Sequence, residues 1–361
     1  MLQHTHLPLV TVFIRLAAYS KGGFKMKRTA CIAVIGVLAV LASTLVPAFA
    51  QSPLPKYVRF ASLSVGMSAY FVAVGVGSVM TKHSPIKVAV DPVGMHAAVF
   101  DLLEKKEAEM GALGSLEVVP AFRGEGIYKD KRKPILAGMT TIRMYNLIHT
   151  TPRSGIKTVQ DLRGKRVMAD LVPSPSTREF TDALLKAHGM TRDDIKWIRY
   201  GTFTEAVAAL IEGGADAISH PATIQGMQEI KLAVGHKVVP IEPGPAKKML
   251  EMTLGYTYDT MPKGYNNVVD EATPTLAYYT VIFFREDVST DAAYELVKAA
   301  LEHHKEYGSV HPLLPEVDAK RAATMVGVPF HPGAIKYYKE KGLWTAEHER
   351  LNAEFLAKYK K

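Results

Sequence analysis

KYVRFASLSVGMSAYFVAVGVGSVMTKHSPIKVAVDPVGMHAAVFDLLEKKEAEMGAL, residues Lys56 to Leu113, decides the fold. Lys56 to Leu63 is a short β-rich run, and Ser68 to Met80 has the length and apolar recurrence of a helix. Ile86 to Val90 reads as a second strand, His96 to Lys106 as a second helix and Glu109 to Leu113 as a third strand. Strands and helices alternating in this order build a parallel sheet with helices on its faces.

Working outward, the same grammar returns after Arg153. Thr158 with Asp161 caps a short helix that Gly164 stops, and the strand Arg166 to Ala169 follows. Pro175-Ser176-Thr177-Arg178-Glu179 reads as a capping box in which Ser176 and Glu179 satisfy each other's backbone donors. Behind it Phe180, Ala183, Leu184 and Ala187 recur at helical spacing up to Gly189. Ile195 to Tyr200 is a strand, Thr202 and Glu205 form another capping box ahead of Ala206 to Ile211, and Asp216 to Ser219 is a strand after Gly213-Gly214. Ile135 to Met139 and Arg143 to Thr150 look like a crossover between the units, and Leu276 to Phe284 like the return. Two doubly wound lobes with helices on both faces and two crossing hinge strands are therefore expected. Lobe one takes residues 51–145 and 280–361, and lobe two takes 146–279. From Thr290 onward the chain reads as helical, ending in a helix through Leu351, Phe355 and Leu356.

The length of 361 residues suits two such lobes better than one core. Apolar residues at 48% and charged ones at 22% exclude a disordered chain, and aperiodic Gly and Pro exclude collagen and short solenoids. The net charge of +9 is concentrated at one end. Ala30 to Ala50 carries no charge, follows Met26-Lys27-Arg28, and ends in Pro47 and Ala48-Phe49-Ala50, a small-x-small motif ahead of Gln51. A signal peptide cleaved after Ala50 is expected, with the start at Met26 and residues 1–25 an upstream extension. About 20 apolar residues can also span a bilayer, but Pro47 and the cleavage motif favour removal. The first 50 residues hold Arg15, Lys21, Lys25, Lys27 and Arg28 with no acid, which leaves 39 basic against 35 acidic groups. The lone Cys31 lies in the same segment, so the exported chain is expected to have no thiolate metal site, disulfide or cysteine nucleophile. Periplasmic localisation follows from this reading.

Catalytic patterns are scarce. Leu63-Ser64-Val65-Gly66 lacks the first glycine of a nucleophile elbow. Gly75-Val76-Gly77-Ser78 begins like a dinucleotide fingerprint but lies within a helix and has no third glycine, so it reads as a tight packing face. No phosphate loop occurs. His303 and His304 are adjacent and diverge on a helix, while His311, His331 and His348 are dispersed, so surface histidines are expected and no metal site. Basic residues form no stripe, and Lys129 to Lys133 reads as a solvated loop, which excludes nucleic acid as a partner. No catalytic residue and no cofactor is expected.

Three segments resemble one family, the TAXI branch of TRAP-transporter solute-binding proteins. They are Ser154 to Val167 (SGIKTVQDLRGKRV), Thr204-Glu205-Ala206 through Gly213-Gly214-Ala215-Asp216-Ala217, and Pro329 to Gly342 (PFHPGAIKYYKEKG). The resemblance implies a type II periplasmic binding fold, monomeric, that closes over a small organic anion such as a carboxylate and delivers it to TRAP membrane subunits driven by an ion gradient. Carried over by position, the first binding loop is Ser64 to Tyr70, with Gly66, Ser68 and Tyr70 in the family's G-G-T-Y-Y pattern and Met67 in place of a glycine. The second loop keeps Gly94 ahead of Met95 and His96 and lacks the family's Glu and Asn. The third offers Ser115. In lobe two Ser174, Ser176 and Thr177 stand at a helix start able to hold an anion, with Arg178 one residue further, and His220 and Pro221 form the fourth loop. Two alternatives stay open: the receptor of an ABC importer, and a periplasmic enzyme using His96 or His220 as a base.

Overall fold

The computed structural model describes residues 53–129, 131–222, 226–267, 269–310 and 313–359. The leader, its cleavage after Ala50 and Cys31 lie outside the described residues. Among the described residues no helix is long and apolar enough to cross a membrane.

Chain order follows the expected alternation. β1 (Tyr57–Leu63), α1 (Ser68–His83), β2 (Lys87–Val93), α2 (His96–Glu104), β3 (Met110–Gly114) and α3 (Ser115–Arg123) form the first unit. β4 (Ile135–Thr150) leads out of it. β5 (Arg166–Leu171), α4 (Pro175–Ala187), β6 (Lys196–Tyr200), α5 (Phe203–Glu212), β7 (Ala217–Pro221), α6 (Gly226–Val234), β8 (Lys237–Val239), α7 (Pro243–Met252) and β9 (Thr257–Met261) form the second. β10 (Thr273–Arg285) returns, and α8 (Thr290–Glu302), α9 (Ala319–Ala322), α10 (Pro332–Glu340) and α11 (Ala346–Tyr359) close the chain.

The strands share one ladder in the order β2-β1-β3-β10-β4-β7-β5-β6, with β8 on β4 and β9 on β10. β1 is parallel to β2 and β3, and β5 is parallel to β6 and β7. One lobe is built on β2-β1-β3 and the other on β7-β5-β6. The antiparallel pair β4 and β10 runs through both. β10 gives residues 280–284 to β3 and residues 273–277 to β9, while β4 gives its last five residues to β7. The β4–β10 register breaks between Tyr279 and Val281, where Thr280 has no ladder partner on β4, and again between Ile282 and Phe283. The Thr141 hydroxyl donates to the Thr280 carbonyl there at 2.9 Å.

Two apolar clusters hold this frame. One follows the first lobe and continues over one face of the second through Leu171, Tyr200, Val207 and Met227. The other fills the opposite face with Ile148, Val167, Phe180, Leu184 and Met249. Strands β3, β4 and β10 are buried almost throughout, as strands covered on both faces must be.

Local departures from the sequence reading have physical reasons. The crossover is one continuous strand, because Thr140 and Thr141 are β-branched and fully buried, with hydroxyls donating to the carbonyls of Thr324 and Thr280. The Ser176–Glu179 capping box does not form: Pro175 takes the first helical position and Ser174 becomes the N-cap. Helix α1 opens at Ser68 as read, with Met67 as its N-cap. The Thr158–Asp161 box is present, on a 3₁₀ turn at Val159–Leu162. Thr202 caps α5 by accepting from the Glu205 N–H, and the Glu205 carboxylate reaches back to the Gly201 N–H. Gly75 and Gly77 mark close packing as expected, since a Cβ on Gly77 would lie 3.3 Å from Val90 on β2.

Candidate functional site

The C-terminal ends of β1, β2 and β3 and of β5 and β7 carry loops whose following helices start at the gap between the lobes. Anions and polar ligands favour that position in open α/β sheets. In this structure hydrogen bonds cross the gap at His96 and at Ser115. His96, the first residue of α2, donates from Nδ1 to the Pro173 carbonyl at 3.0 Å. Ser115, the first residue of α3, donates to the Gly255 carbonyl at 2.6 Å and accepts from the Tyr279 N–H. Gly255 has φ +77°, and a Cβ there would sit 2.3 Å from the Ser115 carbonyl oxygen, so the approach requires glycine.

Between these two points lies Glu117, which the sequence reading passed over. It is 9% exposed, and its Oε1 is 3.6 Å from His96 Nε2. Its carboxyl also hydrogen-bonds with Ser176 of the other lobe. Burial pushes the Glu117 carboxyl above its ordinary range, against the opposing pull of His96 and Ser176. His96 Nδ1–H is committed to Pro173, which leaves its Nε2 facing Glu117 Oε1. Glu179, one turn into α4, is also raised, first by burial.

Aromatic residues line the same place. Tyr278 is buried and Tyr256 half-buried; desolvation and then Glu117 push both phenols upward, and their rings meet edge to face at 5.9 Å. Asn146 Nδ2 donates to the Tyr256 hydroxyl at 2.6 Å, while its Oδ1 is buried with no partner. The Tyr128 hydroxyl, within the field of Glu117, is likewise buried and unpartnered. Such atoms are expensive to bury unsatisfied, and a ligand bearing donors and acceptors would relieve them.

The residues expected from sequence are placed unequally. Ser174 and Thr177 are buried at the start of α4, where the Ser174 and Ser176 hydroxyls share a 2.9 Å hydrogen bond. The Thr177 N–H is taken by the Ser174 carbonyl at 3.1 Å, so it is not one of the open donors expected at this helix start. Arg178 does not point a free cation at the gap, because its Nη1 lies 3.8 Å from the buried Asp170, which also takes Arg199 at 3.1 Å. Ser64 is exposed, with its hydroxyl on the Val93 carbonyl, and Gly66 turns the loop at φ +95°. Ser68 opens α1, and Tyr70 is half-buried with its ring edge-to-face on Phe71. Gly94 and Met95 are exposed at the rim.

His220 is buried against Phe203, with ring centroids 4.2 Å apart, and burial pushes it down to about 3. Its carbonyl accepts from His149 Nε2 at 2.8 Å, and His149 Nδ1 in turn accepts from His236 Nε2 at 2.9 Å. This relay pins β7 to β4 and the turn before β8. Pro221 pairs with Asn146 on β4, which places it beside the cluster. His96, Ser115, Ser174, Ser176 and Thr177 are thus brought to the gap, and the exposed loops at Ser64 and Gly94 form its rim. A cavity of about 330 Å³ lies elsewhere, lined by His236, Lys237, Glu242, Asp270 and Thr273.

Solved structures share this frame. The chain aligns with PhnD1 from Prochlorococcus marinus (MIT 9301) in complex with methylphosphonate at 12% identity, over 84% of this chain and 99% of that one, with a TM-score of 0.51. It aligns with a periplasmic transporter structure at 15% identity, over 84% of this chain and 96% of that one, with a TM-score of 0.52. At these identities the likeness is one of fold, the two-lobed fold of periplasmic binding proteins. The sequence model of the NMT1-like family matches residues 60–342, which takes in both lobes and the cluster between them. The chain belongs to the NMT1-like family.

Proposed function

We propose that the chain is an exported solute-binding receptor without catalytic turnover, whose lobes, residues 51–145 with 280–361 and residues 146–279, close on a small oxyanion. The observation that carries this reading is the buried polar knot at Glu117, which both lobes supply and which keeps unpartnered polar atoms at Asn146 and Tyr128. The nearby cations Arg178 and Arg199 are occupied by Asp170. Recognition of an anion therefore falls to neutral donors: hydroxyls of Ser174, Ser176 and Thr177, and the N-terminal ends of α2, α3 and α4. Dipoles of this kind match one negative charge better than two. A singly charged carboxylate, sulfonate or phosphonate is the substrate class.

An ABC importer is the better-supported destination. The family match is to NMT1-like proteins, and the segment that most resembled a TAXI receptor, Pro329 to Gly342, has its residues taken up by internal packing. His331 caps α10 through Nδ1, accepting from the Gly333 N–H, and its Nε2 donates to the Val288 carbonyl. Delivery to TRAP subunits remains the second reading.

A thermal-shift series on the purified protein tests the proposal with methylphosphonate, alkanesulfonates, monocarboxylates, dicarboxylates and amino acids. At least one monoanion is expected to raise Tm in a concentration-dependent way. Ser174→Ala combined with Thr177→Ala is expected to weaken it about tenfold or more. No shift across the series, unchanged affinity in the double variant, or consumption of the compound by the wild type would overturn the reading.

A further inference from the structure

On the outer side of the first lobe, three side chains from separate elements converge where no role has been assigned. His83 ends α1, His303 follows α8, and Glu306 lies in the 3₁₀ segment after it. Their ligand-capable atoms all lie within 4.8 Å of one another. His83 Nε2 is 3.0 Å and His303 Nδ1 is 3.6 Å from the same oxygen, Glu306 Oε1. Donors 2.0–2.2 Å from one tetrahedral ion stand roughly 3.2–3.6 Å apart, so these spacings come close to those around a common ion.

Two further observations point to a ligand. His83 Nε2 is buried beneath Glu306 yet makes no hydrogen bond, so the 3.0 Å contact leaves the nitrogen without an aligned partner. The second carboxylate oxygen, Oε2, is held by Lys82 Nζ at 2.6 Å. That bond orients Glu306 and leaves Oε1 to the histidines. The two imidazoles lie face to face, 3.5 Å apart and 6° from parallel. A shared ion needs one ring to tilt, and His303, with 39% of its side chain exposed, has room to do so.

We propose that His83, His303 and Glu306 form a binding site for a divalent transition metal of the zinc class. Two imidazoles and a carboxylate suit Zn²⁺, Cu²⁺ or Ni²⁺ and not Mg²⁺ or Ca²⁺, which take oxygen ligands. The ion would join α1 to the end of α8.

The test is calorimetric titration of the tag-free protein with Zn²⁺, repeated on His303→Ala, Glu306→Gln and His83→Ala, with Co²⁺ absorption reporting the coordination. One Zn²⁺ per chain, bound in the micromolar range or tighter, is expected. Each substitution should weaken it at least tenfold, with a tetrahedral Co²⁺ band present only in the wild type. His303→Ala and Glu306→Gln alter exposed groups, so they keep the proposal falsifiable even if His83→Ala fails to fold. Absence of a one-to-one event, or Zn²⁺ affinity unchanged in either exposed variant, would overturn it.

Discussion

Glu117 stands in the first turn of α3, where a carboxylate is ordinarily favoured beside free N–H groups. Burial reverses that preference, and the sign of the pH effect follows. The unfolded carboxyl titrates near 4.5, and the folded one above it. Its contribution is therefore intact below about pH 4.5 and is lost as pH rises through the folded value. Glu117→Gln is expected to stabilise the free protein at pH 8 and to leave it unchanged at pH 4, as read by urea unfolding at both values. Equal effects at the two pH values would mean that the carboxyl titrates normally. In sequence nothing distinguished this residue, because its partners His96 and Ser176 stand 21 and 59 positions away. His96 and Ser115 were legible for the opposite reason: each immediately follows a strand-end loop, and chain order alone places it at the gap. Ser176 was misread locally, since Pro175 at the first helical position moves the cap to Ser174.

At the scale of elements, the contact between α8 and α10 shows what a sequence signature is made of. Gly333 sits where a Cβ would come within 2.3 Å of the Thr290 carbonyl oxygen and 2.6 Å of the Tyr294 nitrogen. Both are backbone atoms, so neither can swing aside. Gly333→Ala is expected to cost about 3 kcal/mol or more in equilibrium unfolding, with the helices forced apart. A loss within about 0.5 kcal/mol would mean that the two helices slide freely on each other. The same region explains why Pro329 to Gly342 stood out from the rest of the chain. Tyr338 donates to the Gly138 and Ala322 carbonyls, and Phe330 and Trp344 pack edge to face. These demands restrict residue choice tightly and report on fold more than on ligand. Helices α3, α6 and α7 and strands β8 and β9 were not read from sequence; elsewhere element order was legible because helix starts and stops are local chemistry. The exception was β4, where two buried threonines look like a polar interruption until their hydroxyls find carbonyls on neighbouring segments.

For the whole molecule, the alternation of strands and helices was enough to anticipate two lobes and the pair of strands between them. What sequence could not supply was the closeness of the lobes, which depends on pairs such as Ser115 and Gly255, 140 positions apart. It also could not show that β4 and β10 would be continuous through both lobes and yet irregular at two places, Tyr279/Val281 and Ile282/Phe283. At Thr280 the β4 side of the ladder carries a side-chain bond from Thr141 instead of a main-chain one. A ladder bends most cheaply where it has no rung to break. The axis about which the lobes swing is therefore expected to pass near Thr280, as a crease in an otherwise stiff ribbon. Hydrogen–deuterium exchange is expected to change on ligand binding in a peptide spanning residues 277–284 and to stay constant over residues 273–276. Equal protection along all of β10 would move the crease elsewhere. If the expectation holds, Thr141 acts as the pin of the joint, and the freedom to open would depend on one hydroxyl that never meets the solute.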